Sequence, residues 1–436
     1  MKLLAILLAF FNLGANAQSL YYPPNSGSEW ESLSPESLGW CTDFWPELRN
    51  YLDDNNTKAF LLLKDGRLVY EEYFDSFTRD SIWYWASAGK SLTAFLVGQA
   101  QEEGLLALTD PASDYLGVGW TDLSPPQEEA IEVVHQLTMT SGLDDGVPDP
   151  YCTLDTCLQF LAEPGTRWAY HNAPYTLLDG VLEGASGQSL NVFAQSRLKT
   201  PTGMTGLFVP VDYNNVFFST ARSMARFGLL IQGGGNWNGA TLLSDTAYFR
   251  AMTTPSQALN PAYGYLWWLN GQSAFMVPGF PFSIPGSLHP NAPDAMISAL
   301  GKNGQIINVV PDQGLVMVRM GDAPGAGEVP VTFNDSVWVY LSQIICSASG
   351  VGSPELPAVA ETILYPNPVS DACAVSWPGQ VFDLQLLDVQ GRVRMQQPQV
   401  RGEAVLGVAD LEPGVYLVRL KAGAAMRSLR LFVQHH

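Results

Sequence analysis

The stretch Trp83–Gly104, WYWASAGKSLTAFLVGQAQEEG, decides how the rest of the sequence is interpreted. Its apolar residues recur at helical spacing until Gly104, which predicts a helix. Near the start of that helix the sequence contains Ser-x-x-Lys, formed by Ser87 and Lys90. Residues three apart on a helix lie on one face, so the two side chains are expected to be within reach of each other.

Two interpretations of this pair are open. A serine hydroxyl is a poor nucleophile until a base removes its proton, and a neighbouring lysine can help to remove it. Free backbone N–H groups at the helix start can bind a developing oxyanion. The alternative is an ordinary helix start that contains a serine, because Ser-x-x-Lys occurs by chance in many chains. The remaining sequence has to decide between them.

The composition limits the class of protein. The chain has 436 residues, of which 47% are hydrophobic, which is enough for one large domain with a sizeable core and a small second domain. The formal net charge of −20 argues against binding to nucleic acid or to an anionic membrane surface, since both need a basic footprint.

The first residues, MKLLAILLAFFNLGANAQ, are typical of a secretory signal peptide. Lys2 provides the positive charge, Leu3–Leu13 the apolar stretch and Ala15–Ala17 the cleavage motif. We therefore expect export, with a mature chain that starts at Gln18; the alternative is a buried N-terminal helix. No later stretch reaches the length of a transmembrane helix, so no membrane span is expected.

The cysteines and histidines predict disulfides rather than a metal site. In an exported protein Cys152 and Cys157 could close a local loop, and Cys41 could pair with Cys346, which leaves Cys373 over. There is no C-x-x-C motif. The histidines do not form a metal-ligand cluster, so neither a metal nor a cofactor is expected; they are His135, His171, His289, His435 and His436.

The order of the secondary-structure patterns predicts an antiparallel sheet. Residues 59–74, AFLLLKDGRLVYEEYF, are typical of a hairpin that turns at Asp65-Gly66. Three strand-like runs follow near residues 294–321, and a long section with short helices lies between the hairpin and these runs. This order favours an α+β domain whose sheet is assembled from both ends of the domain and flanked by helices.

Two further elements could complete a catalytic site. Tyr170, in the segment Tyr-His-Asn, could act as general base toward Ser87 and then as acid toward the leaving group, and Asn172 could orient Lys90 or bind substrate. The alternative for Tyr170 is a core aromatic, and His171 is expected to be a bystander. At Gly301 a bare backbone would let a substrate carbonyl approach the strand edge.

Together these elements resemble the serine hydrolases of the class C β-lactamase-like family. That family includes penicillin-binding DD-peptidases, serine β-lactamases, esterases and aminohexanoate-oligomer hydrolases. Its Ser-x-x-Lys, Tyr-x-Asn and Lys-Thr-Gly-type elements occur here in the same order. Residues 133–145 (VVHQLTMTSGLDD), 163–172 (EPGTRWAYHN) and 201–207 (PTGMTGL) also look like family segments, and the resemblance covers about residues 40–346.

The resemblance implies a β-lactamase/transpeptidase-like fold, an antiparallel sheet flanked by helices with a helical subdomain. By the family's roles Ser87 is the nucleophile that forms an acyl-enzyme, and Lys90 and Tyr170 share the work of the base. Asn172 supports Lys90 and, with Gly301, binds substrate. The backbone N–H groups of Ser87 and Lys302 then form the oxyanion hole.

Two departures from the family pattern narrow the range of expected activities. The Lys-Thr-Gly position holds Ala299-Leu300-Gly301, which has no cationic side chain for the carboxylate of a β-lactam. There is no Ser-Asp-Asn element either. The pattern therefore looks like the esterase and aminohexanoate-hydrolase branch.

Several tryptophans are candidates for pocket lining or for ordinary core packing; they are Trp83, Trp85, Trp168, Trp267 and Trp268.

The C-terminal part has a different texture. Short alternating strands separated by turn residues predict a small β-sandwich. Tyr365–Asp371 (YPNPVSD), the turn Asp388–Arg392 (DVQGR) and the segment LEPGVYLVRL resemble the type A sorting domain of the type IX secretion route. The alternative is a carbohydrate-binding or spacer β-sandwich.

These observations lead to one hypothesis for the whole chain. The predicted parts are a signal peptide (1–17), a hydrolase domain (18–348), a linker (349–358) and a sorting domain (359–436). We expect a secreted or cell-surface serine hydrolase acting on a small ester, amide or peptide, with the type IX machinery as its partner. The alternatives are a non-catalytic penicillin-binding-like scaffold, a DD-peptidase or β-lactamase, and an adhesin whose tail is the working part.

Overall fold

The computed structural model describes residues 19–279, 282–324, 329–346, 363–365, 369, 371–388, 392–423 and 425–433. The chain divides into two compact units, Met1–Ala348 and Ser349–His436. The predicted signal peptide and the predicted linker lie outside the described residues.

The first unit contains helices and strands in mixed order. Its α-helices are α1 (Trp45–Asp54), α2 (Gly89–Glu102), α3 (Ser113–Leu116), α4 (Pro125–Glu129), α5 (Val133–Leu137), α6 (Asn172–Thr176), α7 (Leu178–Ser186), α8 (Leu190–Ala194), α9 (Thr200–Thr202), α10 (Ala221–Gln232), α11 (Thr246–Thr253) and α12 (Val331–Ile344). Its strands are β1 (Thr57–Lys64), β2 (Arg67–Tyr73), β3 (Trp83–Tyr84), β4 (Leu207–Val211), β5 (Asn214–Ser219), β6 (Asn236–Trp237), β7 (Ala240–Thr241), β8 (Trp268–Leu269), β9 (Ala274–Phe275), β10 (Ile284–Pro285), β11 (Ile297–Gly301), β12 (Gln305–Val310) and β13 (Leu315–Gly321).

The main sheet is antiparallel and has the strand order β2-β1-β13-β12-β11-β8. The hairpin β1–β2 turns at Asp65 and Gly66, which both have positive φ, as the tight hairpin turn requires. Strand β1 pairs with β13, so the beginning and the end of the domain meet in the centre of the sheet. The predicted α+β architecture is confirmed, whereas the edge strand β8 was not predicted, because two residues give no readable pattern.

Strand β13 and helix α2 form the buried centre of the first unit. Every residue of β13 is buried, as expected for an apolar strand that is covered on both faces. All residues of α2 from Gly89 to Ala100 are buried, as in a core helix. Helix α10 packs on β12 and β13, and α1 packs against α12. The short helices α3 to α9 form the helical region expected between the hairpin and the last strands.

Two disulfides tie the first unit together. Cys41 is bonded to Cys346, residues 305 apart in sequence, and Cys152 is bonded to Cys157. The long-range bridge joins the segments that flank α1 and α12, where the Cys41 amide also donates to the Ile344 carbonyl at 2.9 Å. Both pairings that the sequence suggested are confirmed, and Cys373 is left as a buried free thiol.

The second unit is one curled antiparallel sheet of β14 (Ile363–Tyr365), β15 (Ala372–Leu387), β16 (Val393–Gly407), β17 (Gly414–Ala422) and β18 (Ala425–Val433). The first part of β15 pairs with β14 and its last part with β17. Side chains from both parts, among them Val375, Leu386 and Val418, share one apolar core. The small β-sandwich is therefore present as a single sheet that folds over itself.

Among the described residues, no helix combines the length and the apolar character that a transmembrane helix needs.

We predict that replacing Cys41 and Cys346 together by serine lowers the free energy of unfolding by about 2–4 kcal/mol, because the bridge restricts a long loop of the unfolded chain. Urea unfolding without reductant measures the loss. The matched control replaces Cys152 and Cys157, which are only five residues apart, and should cost less stability. Equal losses in the two double variants would contradict the prediction.

Candidate active site

Ser87 lies in a short 3₁₀ turn, Ala86–Ala88, that leads directly into α2. The residue before it, Ala86, has φ of 46°, a left-handed conformation that residues with a side chain rarely adopt. Such backbone strain persists only where the surrounding structure holds it, and it is common at active sites. Ser87 itself is half-buried.

The Lys90 ammonium group is the polar centre of the site. It donates to Ser87 Oγ at 2.9 Å and to Asn172 Oδ1 at 2.9 Å, and its residue is only 3% exposed. It also lies over the ring of Tyr175 at 3.8 Å and over that of Tyr170 at 5.2 Å. A buried cation needs such partners, because desolvation without them is costly.

Tyr170 and Asn172 are positioned by a buried aromatic cluster and by a helix start. The Tyr170 ring stacks on Trp268 with centroids 5.7 Å apart, and Trp168 and Tyr263 pack around it. Asn172 is the first residue of α6 and is buried. The two residues thus come from one turn, while Ser87 and Lys90 come from another, and the fold brings the two turns together.

Gly301, the last residue of β11, packs directly against the Ser87 turn. A Cβ atom at this position would lie 2.4 Å from the Trp85 carbonyl oxygen, 2.9 Å from the Ala88 nitrogen and 3.1 Å from the Ser87 nitrogen. Only glycine permits this approach. The next residue in the chain, Lys302, has an exposed side chain, and its backbone amide comes immediately after Gly301.

The strand that precedes this contact offers no charge to a substrate. Ala299 and Leu300 are both 1% exposed and belong to the main core. The tryptophans that were candidates for either pocket lining or core packing belong mostly to the core. Trp85, Trp168, Trp267 and Trp268 are buried, and Trp83 is partly buried and packs against the same core cluster. Within the described residues, no group of three or more His, Cys, Asp or Glu side chains is arranged to hold a metal ion.

Asp179, on α7, is a polar residue close to the site that sequence reasoning missed. It is 3% exposed, and the Thr93 hydroxyl, one turn after Lys90 on α2, donates to Asp179 Oδ1 at 3.4 Å. Burial raises the pKa of this carboxyl to about 7, against the opposing effects of hydrogen bonds from Asn215 and Thr93 and of the Lys90 charge. The one available signal was an aspartate inside the apolar run Leu177–Leu182.

His171 lies between Tyr170 and Asn172 and is 1% exposed. Burial lowers the pKa of the imidazole to about 4, although the Asp145 and Asp144 carboxylates act in the opposite direction. The ring is therefore neutral at physiological pH.

We predict that His171 makes the fold sensitive to acid. Its pKa falls from 6.5 unfolded to about 4 folded, so the unfolded chain takes up the proton first and stability is lost as pH falls from about 6.5 to 4. The maximum loss is about 3 kcal/mol. His171→Gln should therefore show a smaller loss of stability than the parent over this pH range in urea unfolding; identical pH profiles would contradict the assignment.

Asp179 should act in the opposite direction. Because its pKa is raised from 3.8 to about 7 in the folded protein, the folded state keeps the proton longer, and stability is lost as pH rises through this range. Asp179→Asn should become more stable relative to the parent between pH 5 and pH 8. Comparison of the two proteins at each pH cancels the contribution of His171, and a difference that does not change with pH would refute the prediction.

Comparison with known proteins agrees with this architecture. Residues 53–331 match the β-lactamase family and residues 363–434 match the secretion system C-terminal sorting domain. An uncharacterized protein of Alkalihalophilus pseudofirmus is 24% identical over 317 residues, which cover 64% of this chain and 87% of that protein. The 6-aminohexanoate-dimer hydrolase of Paenarthrobacter ureafaciens is 23% identical over 46% of this chain and 58% of its own length.

Solved structures show the same fold. The crystal structure of a penicillin-binding protein homologue from Caulobacter crescentus superposes with a TM-score of 0.52 at 15% identity, over 70% of this chain and 99% of that chain. The family match covers more than half of the sequence. The chain therefore belongs to the β-lactamase family of serine hydrolases and carries a C-terminal sorting domain of the type IX secretion system.

Proposed function

We propose that the protein is an exported serine hydrolase that cleaves an ester or amide through an acyl-enzyme on Ser87. The observation that carries the proposal is the position of Lys90 Nζ, 2.9 Å from both Ser87 Oγ and Asn172 Oδ1. A buried amine in contact with the hydroxyl of a half-buried serine is suited to activate it. A helix start that merely contained a serine would not need a buried lysine at this place.

In the acylation step Ser87 Oγ attacks the substrate carbonyl carbon and forms a C–O bond. The serine proton passes to the base system of Lys90 and Tyr170, which must hold one proton fewer than the fully protonated pair, either as ammonium with phenolate or as amine with phenol. The carbonyl oxygen takes the negative charge. Collapse of this tetrahedral intermediate breaks the bond to the leaving alcohol or amine, which receives the proton. Water then attacks the acyl-enzyme in the same way, and the released acid restores free Ser87.

The backbone amides of Ser87 and Lys302 are the proposed oxyanion hole. The close packing of Gly301 on the Ser87 nitrogen supports this pairing, because it holds the end of β11 beside the nucleophile. Two fixed N–H donors stabilise the oxyanion more than the ground-state carbonyl, and the loss of one such donor typically lowers kcat by about 10²–10³.

The lining of the site supports an ester or amide without a carboxylate beside the scissile bond. Ala299 and Leu300 stand where the family pattern has a lysine and a threonine, and both are buried. A β-lactam or a peptidoglycan peptide would lose the cation that holds its carboxylate. The relative from Paenarthrobacter, named as a hydrolase of an amide dimer, is compatible with this choice.

The C-terminal sorting domain supports the proposal that the protein acts outside the cell. A type IX sorting domain directs its protein to the cell surface or the extracellular space. The two disulfides agree with an oxidising environment. The signal peptide that this route requires remains a prediction from residues 1–17.

The first test uses the purified protein and Ser87→Ala with a fluorophosphonate probe and with p-nitrophenyl butyrate. We expect one probe adduct by intact mass in the parent and none in the variant, and at least a ~1,000-fold fall in ester turnover, because the nucleophile is removed. Ser91→Ala is the matched control, since Ser91 lies in the first turn of α2, directly after the Ser87 turn, and donates to the Leu266 carbonyl at 2.6 Å.

The control variant should keep both the adduct and most of the turnover. An unlabelled parent, with turnover equal to that of Ser87→Ala, would favour the non-catalytic scaffold. Labelling together with hydrolysis of β-lactams rather than simple esters or amides would favour the β-lactamase alternative.

A further inference from the structure

The turn Lys302–Gly304, between β11 and β12, carries the proposed oxyanion donor on Lys302. Its conformation is unusual, because Asn303 has φ of 63° and Gly304 has φ of 76°. A turn of this kind does not hold itself in place, since it lies outside the hydrogen-bonded ladder of the sheet. Contacts with other elements therefore have to hold the turn in this conformation.

One buried side chain, Arg319 on β13, donates to two carbonyls of this turn and to its surroundings. Its Nη1 donates to the carbonyls of Asn303 at 2.7 Å and Gly304 at 2.9 Å. Its Nη2 donates to the carbonyls of Asn55 at 2.6 Å and Asp322 at 3.1 Å, and its Nε donates to Thr57 Oγ1 at 3.1 Å. A guanidinium group has five N–H donors, so the whole group is used.

The surroundings of Arg319 are shaped for the charged group. Arg319 is fully buried, and its guanidinium lies 4.8 Å from the ring centre of Phe333. A Cβ at Gly304 would lie 2.2 Å from Nη1, and one at Gly321 would lie 2.4 Å from Nη2. Burial lowers the pKa of Arg319 to about 9, so the group is still charged at neutral pH.

Two other side chains connect the same turn to its neighbours. Gln305 Nε2 donates to the carbonyls of Lys302 and Asn303, and to that of Gly321 at 2.6 Å. Asn303 Nδ2 donates at 2.7 Å to the hydroxyl of Tyr84, which lies three residues before Ser87. The turn is therefore tied both to the sheet and to the segment that carries the nucleophile.

We propose that Arg319 is a positioning residue that holds the Lys302 amide in the oxyanion hole by clamping the Lys302–Gly304 turn. The inference rests on the proposed function, because it assigns a purpose to the geometry of that site. If the clamp loosens, the amide no longer points to the place where the oxyanion develops. The transition states of acylation and deacylation then lose more stabilisation than the bound substrate does, so kcat should fall with little change in KM.

The main experiment compares Arg319→Lys with Arg226→Lys in the full chain. Arg226 is the matched control, because it is also buried and donates only to backbone carbonyls, those of Pro23, Pro24 and Thr202. Both variants keep the charge but lose the planar fork. Turnover of p-nitrophenyl butyrate is measured per active site, counted by complete fluorophosphonate labelling, and thermal unfolding is measured alongside.

We expect both variants to lose stability, but only Arg319→Lys to lose kcat, by at least about tenfold, with KM within about threefold of the parent. Equal kcat values for the two variants would overturn the inference while leaving the proposed function intact. A parent no faster than Ser87→Ala would instead overturn the proposed function, and the inference with it.

A second pair of variants decides the matter if Arg319→Lys does not fold. Gly304→Ala retains the arginine but places a methyl group against Nη1. Gly104→Ala has similar backbone strain, with φ of 70°, but no atom within 4 Å of the added carbon. We expect at least a tenfold fall in kcat for Gly304→Ala only; unchanged kcat in this variant would refute the clamp.

Discussion

The first unit is organised around one buried cation, the ammonium group of Lys90. Such a group is stable in a core only when polar partners surround it, and here Ser87, Asn172 and two aromatic rings supply them. These partners come from segments about 80 residues apart in sequence. The contacts that stabilise the Lys90 charge are therefore the same contacts that bring the residues of the proposed site together.

The opposite side of the site depends on a steric constraint. Gly301 allows β11 to end against the turn that carries Ser87, the proposed nucleophile, and Lys302, the proposed oxyanion donor, is the next residue in the chain. Arg319 then holds the turn through carbonyl groups rather than through a carboxylate. Directional hydrogen bonds from a rigid fork define position better than a single ion pair, which suits the proposed role of the turn in presenting the Lys302 N–H group.

Two ionisable side chains near Lys90 are buried, and burial disfavours their charged forms. His171 is kept neutral and Asp179 is kept largely protonated below pH 7 by burial, and both lie on the segment that supplies Asn172 or on the helix that follows it. Proteins often retain such polar groups where function restricts the choice of residue. In this chain Asp179 also reaches α2 through Thr93, so the helix that carries Lys90 has a polar contact on its buried side.

Local sequence patterns and composition were enough to predict several structural features of this chain. The hairpin at Asp65-Gly66, the antiparallel sheet and a small β-rich C-terminal domain could be predicted, because periodicity and turn residues act over a few positions. The family was indicated by the resemblance of short motifs, and Ser87, Lys90 and Asn172, named from the sequence, are in contact in the structure. Three further features depend on tertiary packing: Trp85 and Trp168 belong to the core, β8 forms an edge of the sheet, and Asp179 and Arg319 lie near the candidate site. These outcomes arise from contacts between residues far apart in sequence, where burial and hydrogen bonding depend on packing that no local pattern records.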